Sequence, residues 1–90
     1  MTEKIVLSDG REVEVISFAI ASSGHMFIRV NMNMGEAYSF FSSGTDKITY
    51  IPEEGDAISI GGFTELAYIV NETDCVRVAL VRPMQIEGVN

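Results

Sequence analysis

Short alternating apolar runs, turn-forming clusters between them and a single stretch of helical spacing predict a mainly β chain. The expected architecture is a small antiparallel sandwich or partly open barrel of about six or seven strands, with one short helix over roughly residues 34–43 inserted between two β units. Met26, Ile28 and Val30 alternate with His25, Phe27 and Arg29, the period that lines one face of a strand. Clusters such as Ser8-Asp9-Gly10-Arg11 and Asn71-Glu72-Thr73-Asp74 punctuate the strands. Met34, Ala37, Tyr38 and Phe41 instead recur at helical spacing and would line one face of about three turns. Strands this short cannot hide their apolar faces in one flat layer, which favours two layers; a single antiparallel sheet carrying the helix on its face is the alternative.

Residues 4–7 and 12–20 read as a hairpin, with Asp9-Gly10 where a tight turn needs positive φ. Val13 and Val15 set one apolar phase, and Ile16, Phe18 and Ile20 take the other. A β-bulge near Val15-Ile16, or a strand passing from one sheet to another, reconciles the two phases. Ala21-Ser22-Ser23-Gly24 turns the chain into a strand over 25–31. Asn33 is placed to cap the helix, with Glu36 reaching back to the Asn33 amide, and Gly44 supplies the stop. Further strands follow at 47–51 and 57–60, separated by Pro52-Glu53-Glu54-Gly55-Asp56 and ended by Gly61-Gly62. Residues 63–70 and 75–81 form a last hairpin, Pro83 closes regular pairing, and 85–90 read as a loose tail. Phe18-Ala19-Ile20 and Ile28-Arg29-Val30 are echoed by Leu66-Ala67-Tyr68-Ile69 and Val76-Arg77-Val78, so each half is expected to be its own small sheet, joined by the helix.

Ninety residues without a linker-like run make one domain. No stretch approaches the roughly 20 apolar residues of a membrane span, and the first residues show no signal peptide, so the expected location is the cytoplasm of the cell that makes the chain. One cysteine, Cys75, excludes an internal disulfide and reads as a small half-buried strand residue. Thirteen acidic residues against six basic ones give a formal net charge of −7, a field that repels nucleic-acid backbones and anionic lipid and favours basic partners.

No motif for catalysis or a cofactor emerges. His25 is the only imidazole, and serines beside it in a turn are better explained by turn chemistry than by a nucleophile and its base. One histidine and one cysteine cannot supply a four-ligand zinc site. Glu53, Glu54 and Asp56 concentrate carboxylates in one loop but lack the spacing of a calcium loop, and Gly61-Gly62 lacks the lysine and following helix of a phosphate loop. The expectation is a chain with no enzymatic activity, cofactor or metal.

The candidate partner-binding residues are Phe27, Arg29, Phe40, Glu53, Glu54 and Asp56. Phe27 and Arg29 combine the residue types that interfaces favour, on the strand face opposite the core; a second buried layer over Phe27 is the competing explanation. Phe40 lies beside the helical stripe and either widens its buried face or meets a partner. The acidic loop suits a basic partner.

The start Ile5-Val6-Leu7-Ser8-Asp9-Gly10-Arg11-Glu12-Val13, the helix ending Phe40-Phe41-Ser42, the Thr45 to Ile51 stretch and Gly62-Phe63-Thr64-Glu65-Leu66 before a last hairpin resemble small, mostly uncharacterised proteins encoded by prophages of Gram-positive bacteria, often among tail or late genes. The resemblance implies an all-β fold with an inserted helix and a phage context, and carries over no site residue. The expected function is a structural or assembly module, tail-associated, acting through protein contacts or self-association as a homo-oligomer and incorporated into a phage particle. An acidic inhibitor of a host nucleic-acid-acting or defence protein is one alternative, and a small ligand-binding domain is another.

Overall fold

A computed structural model describes residues 2–83, so the tail expected at 85–90 lies outside the described residues. The strands are β1 (Glu3–Val6), β2 (Glu12–Val15), β3 (Ser17–Ile20), β4 (His25–Val30), β5 (Lys47–Ile51), β6 (Ile58–Gly61), β7 (Glu65–Asn71) and β8 (Val76–Val81), with helix α1 (Met34–Phe41) between β4 and β5. They form two antiparallel four-stranded sheets, sheet A in the order β2-β1-β5-β6 and sheet B in the order β3-β4-β8-β7. The sandwich-like, mainly β architecture is the one the alternating pattern implies.

Residues 12–20, read as one strand, are two, which brings the number among the described residues to eight. The change of apolar phase marks the crossing from sheet A to sheet B. At the crossing the Ile16 N–H donates to the Arg29 carbonyl at 2.7 Å while Ser17 pairs with the same Arg29, so two residues stand opposite one. Sequence parity put Ile16, Phe18 and Ile20 on one buried face. Only Phe18 packs against the core, stacked on Tyr50 of sheet A with ring centroids 4.4 Å apart, whereas Ile16 sits in the bulge and Ile20 at the strand end, both exposed.

The halves do not form a sheet each. Each half supplies one hairpin to sheet A and one to sheet B, and the central pairs join the halves, Ile5 opposite Tyr50 and Ile28 opposite Val78. The echo in sequence has a counterpart in position: β3 and β7 are the two edges of sheet B, and β4 and β8 its two centres.

Ile5, Leu7, Val15 and Ile48 of sheet A and its turns meet Met26, Ile28, Val30, Val76, Val78 and Leu80 of sheet B in one core. Phe63, in the passage from β6 to β7, is buried in it with the Arg82 guanidinium 4.5 Å from its ring centre. Helix α1 adds Ala37 and Phe41 and contacts β7 and β8. Its start is the expected capping box: Asn33 Oδ1 accepts from the Glu36 N–H at 2.8 Å, and Glu36 Oε1 accepts from the Asn33 N–H at 3.0 Å.

The buried stripe of α1 is narrower than spacing implies. Met34 and Tyr38 are exposed, Tyr38 at 60%, because the helix meets the strands along one side only. Phe40 widens that side, edge-on to Phe41 at 4.9 Å. Past the C-cap Ser42, Gly44 takes a φ of 75°, and its carbonyl accepts from the Ser8 N–H and hydroxyl at 3.0 Å each. The positive φ favours glycine, and a Cβ at that position would stand 3.1 Å from Asp9 Oδ2 and Arg11 Nη2, displacing those side-chain tips by a few tenths of an ångström.

Candidate functional site

The outer face of sheet B is fixed by the inward turn of Met26, Ile28 and Val30, all fully buried, which points His25, Phe27 and Arg29 away from the core. Strand register extends these positions into rows. One row runs Ala19, Phe27, Ala79, Tyr68, and the next runs Ser17, Arg29, Arg77, Val70. Ala79 is fully buried between two aromatic neighbours, as a small residue flanked by large ones on a pleated face should be. Tyr68 and Val70 are exposed, and Phe27 is half-buried with no second layer over it among the described residues.

Two arginines directly opposite each other repel, and the register places Arg29 against Arg77. Glu72, in the β7–β8 turn, resolves the conflict. Its Oε1 accepts from Arg29 Nε at 2.8 Å, and its Oε2 lies 3.5 Å from Arg77 Nε. Arg29 Nη1 also donates to Ser17 Oγ at 3.3 Å. Arg77 Nε is out of solvent and makes no well-formed hydrogen bond, so Arg77 is held by charge and by the Phe27 ring, whose centre is 5.8 Å from its guanidinium carbon.

The hydrogen bond from Arg29 holds the Glu72 carboxyl below the usual glutamate range against the opposing effect of desolvation, and the same bond raises Arg29. Cys75 donates to Glu72 Oε1 at 3.5 Å, and desolvation, followed by that neighbouring carboxylate, pushes its thiol up. A thiol held protonated in this way is a poor nucleophile.

On the other side of Phe27, the His25 ring stacks parallel at 5.6 Å, and Ser23 Oγ lies 3.0 Å from His25 Nδ1. Together these orient the imidazole flat against the phenyl ring. Beside the arginine row a hollow of about 620 Å³ is lined by Ile16, Arg29, Glu72, Thr73, Asp74 and Cys75. Among the described residues no group of three or more His, Cys, Asp or Glu is placed to hold a metal ion, and no helix is long and apolar enough to cross a membrane.

The candidates divide among three places. Phe27 and Arg29 share the face just described. Phe40 belongs to α1, where the Arg11 guanidinium lies 5.1 Å from its ring centre beside a hollow of about 470 Å³ lined also by Asn33, Gly35, Glu36 and Ser39. Glu53, Glu54 and Asp56 are exposed in the β5–β6 loop of sheet A. Sequence reasoning missed Arg77, Glu72, Tyr68 and Val70. The echo of Arg29 by Arg77 was the available signal, because two arginines in matching strands call for a carboxylate nearby.

No family model, characterised protein or solved structure matches the chain. The outer face of sheet B thus brings together the aromatic rings of Phe27 and His25 and two guanidinium groups that share the Glu72 carboxylate.

Proposed function

We propose that the chain is a non-enzymatic phage or prophage protein that works by protein contact, as a structural or assembly module of a tail-associated part of the particle, made in the host cytoplasm. The phage context rests on the sequence resemblance alone; the observation behind the protein-contact part of this reading is the outer face of sheet B, where Phe27 lies between His25 and Arg77 while Glu72 hydrogen-bonds Arg29 and balances the charge of Arg77. Side chains already fixed lose little freedom on binding, and arginine beside aromatic residues is the composition of interface hot spots. The neighbouring Tyr68 and Val70 extend the apolar part of the face.

The test is light scattering across a concentration series together with detection of the chain in purified particles from a lysogenic host. Concentration-dependent assembly or incorporation, lost on Phe27→Ser together with Tyr68→Ser while the fold persists, is the expected result. A monomer at every concentration that is absent from particles refutes the proposal.

A further inference from the structure

Beyond that face, and resting on the reading of the chain as a protein-contact module, we infer that the β6 edge of sheet A accepts an extended, lysine- or arginine-rich segment of a partner protein as a fifth strand. A two-sheet sandwich of this topology has four edges, and unpaired backbone groups on an edge are a template for another strand unless something guards them. β2 carries Glu12 and Glu14, with Glu12 in an ion pair to Lys4. β3 starts at the Ile16-Ser17 bulge, and β7 is interrupted by a shift of register between Leu66 and Tyr68. β6 has neither guard: Ile58, Ser59, Ile60 and Gly61 hold no charge and no proline, and they pair with β5 in unbroken register.

The ladder also says which of its backbone groups are free. The Gly62 N–H donates to the Asp46 carbonyl at 3.1 Å, so the pairs that exchange hydrogen bonds continue at Ile60 with Ile48 and at Ile58 with Tyr50. The N–H and C=O of Ser59 and Gly61 therefore point outward. Arg82 covers one of them, donating to the Gly61 carbonyl from Nη2 at 3.2 Å and Nε at 3.4 Å. Among the described residues nothing hydrogen-bonds the Ser59 backbone from outside the sheet, and Ile58 beside it is 52% exposed.

Charge selects the incoming strand. Glu53, Glu54 and Asp56 lie exposed in the loop that leads into β6 and take part in no ion pair among the described residues. Lys4, Arg11, Arg29 and Arg77 are paired with carboxylates elsewhere, Arg82 is turned to Gly61 and Phe63, and Lys47, in no ion pair among the described residues, stands opposite Gly61 at the end of the β5–β6 hairpin away from the loop. The loop carboxylates thus await cations from outside the chain. An edge strand supplies backbone hydrogen bonds, and the flanking charges choose a basic sequence.

The probe is an acetylated peptide of about eight residues alternating lysine and valine, with a second version N-methylated at alternate amides. Fluorescence anisotropy with the full chain should show saturable binding, about tenfold weaker for E53Q/E54Q/D56N and at least about tenfold weaker for the N-methylated peptide. Bound peptide should slow exchange of the Ser59 amide. Ser59→Pro removes the outward N–H, which an edge position tolerates, together with the hydroxyl contact to Thr49 Oγ1 at 3.0 Å, and should abolish peptide binding. No binding up to millimolar peptide, equal binding of the N-methylated form, or protection at another edge overturns the inference. Loss of peptide binding with assembly or particle incorporation intact refutes this inference alone, and peptide binding without either refutes the wider proposal alone.

Discussion

Helix α1 provides the sharpest test of the packing, because spacing and structure disagree about which of its residues matter. Phe41 is 1% exposed in the core, while Tyr38, a full member of the helical stripe, is 60% exposed. Truncating a fully buried phenylalanine removes its transfer free energy and leaves a cavity, together about 3–5 kcal/mol. A domain of 90 residues has a total stability of about 5–13 kcal/mol, so Phe41→Ala should remove between a quarter of it and nearly all. With a urea slope of about 2 kcal/mol/M, the unfolding midpoint should fall by about 1.5–2.5 M. Tyr38→Ala should change stability by less than about 0.5 kcal/mol. Urea titrations of the two variants, followed by far-ultraviolet circular dichroism, measure both. Equal losses, or a loss below about 1 kcal/mol for Phe41→Ala, would mean that α1 is not docked by this face.

Asn33→Ala should cost about 1 kcal/mol and lower the melting temperature by about 4–8 °C, whereas Asn33→Asp should be nearly neutral because an aspartate oxygen can accept the same Glu36 N–H; scanning calorimetry distinguishes them. Acid should destabilise the fold through Glu72 and Asp9. Glu72 is held below 4.5 chiefly by the hydrogen bond from Arg29, and Asp9 below 3.8 chiefly by the backbone N–H of Arg11. A depressed carboxyl contributes stability that is fully present above its unfolded value and is lost as pH falls through its lower folded value. Melting temperature should therefore decline as pH drops below about 4.5, with a shallower decline in Glu72→Gln; an identical acid limb would exclude a Glu72 contribution.

Much of the fold is legible in the chain because it is decided locally. The Asp9-Gly10 turn, the Asn33-Glu36 box and the inward row Met26, Ile28, Val30 each depend on residues close in sequence. What alternation cannot convey is which strand lies alongside which. The phase change at Ile16 is visible, but only pairing of Ile5 with Tyr50 and of Ile28 with Val78 distributes the hairpins between sheets. The candidate site follows the same division. Phe27 and Arg29 are readable as an outward pair, whereas Glu72 looks like an ordinary turn residue until register sets Arg77 against Arg29. The width of the buried helix face was hidden for another reason: spacing defines a stripe, and the neighbours of α1 decide how much of it is covered.

The interleaving of hairpins bears on how the chain reaches its native state. As synthesis proceeds from the N-terminus, β1 and β4 emerge with their later neighbours, β5 and β8, not yet made. Neither layer can be completed by the first half, and pairings between such distant segments form slowly compared with local ones. The central strands of both sheets therefore gain their second neighbour only when the second half of the chain is available.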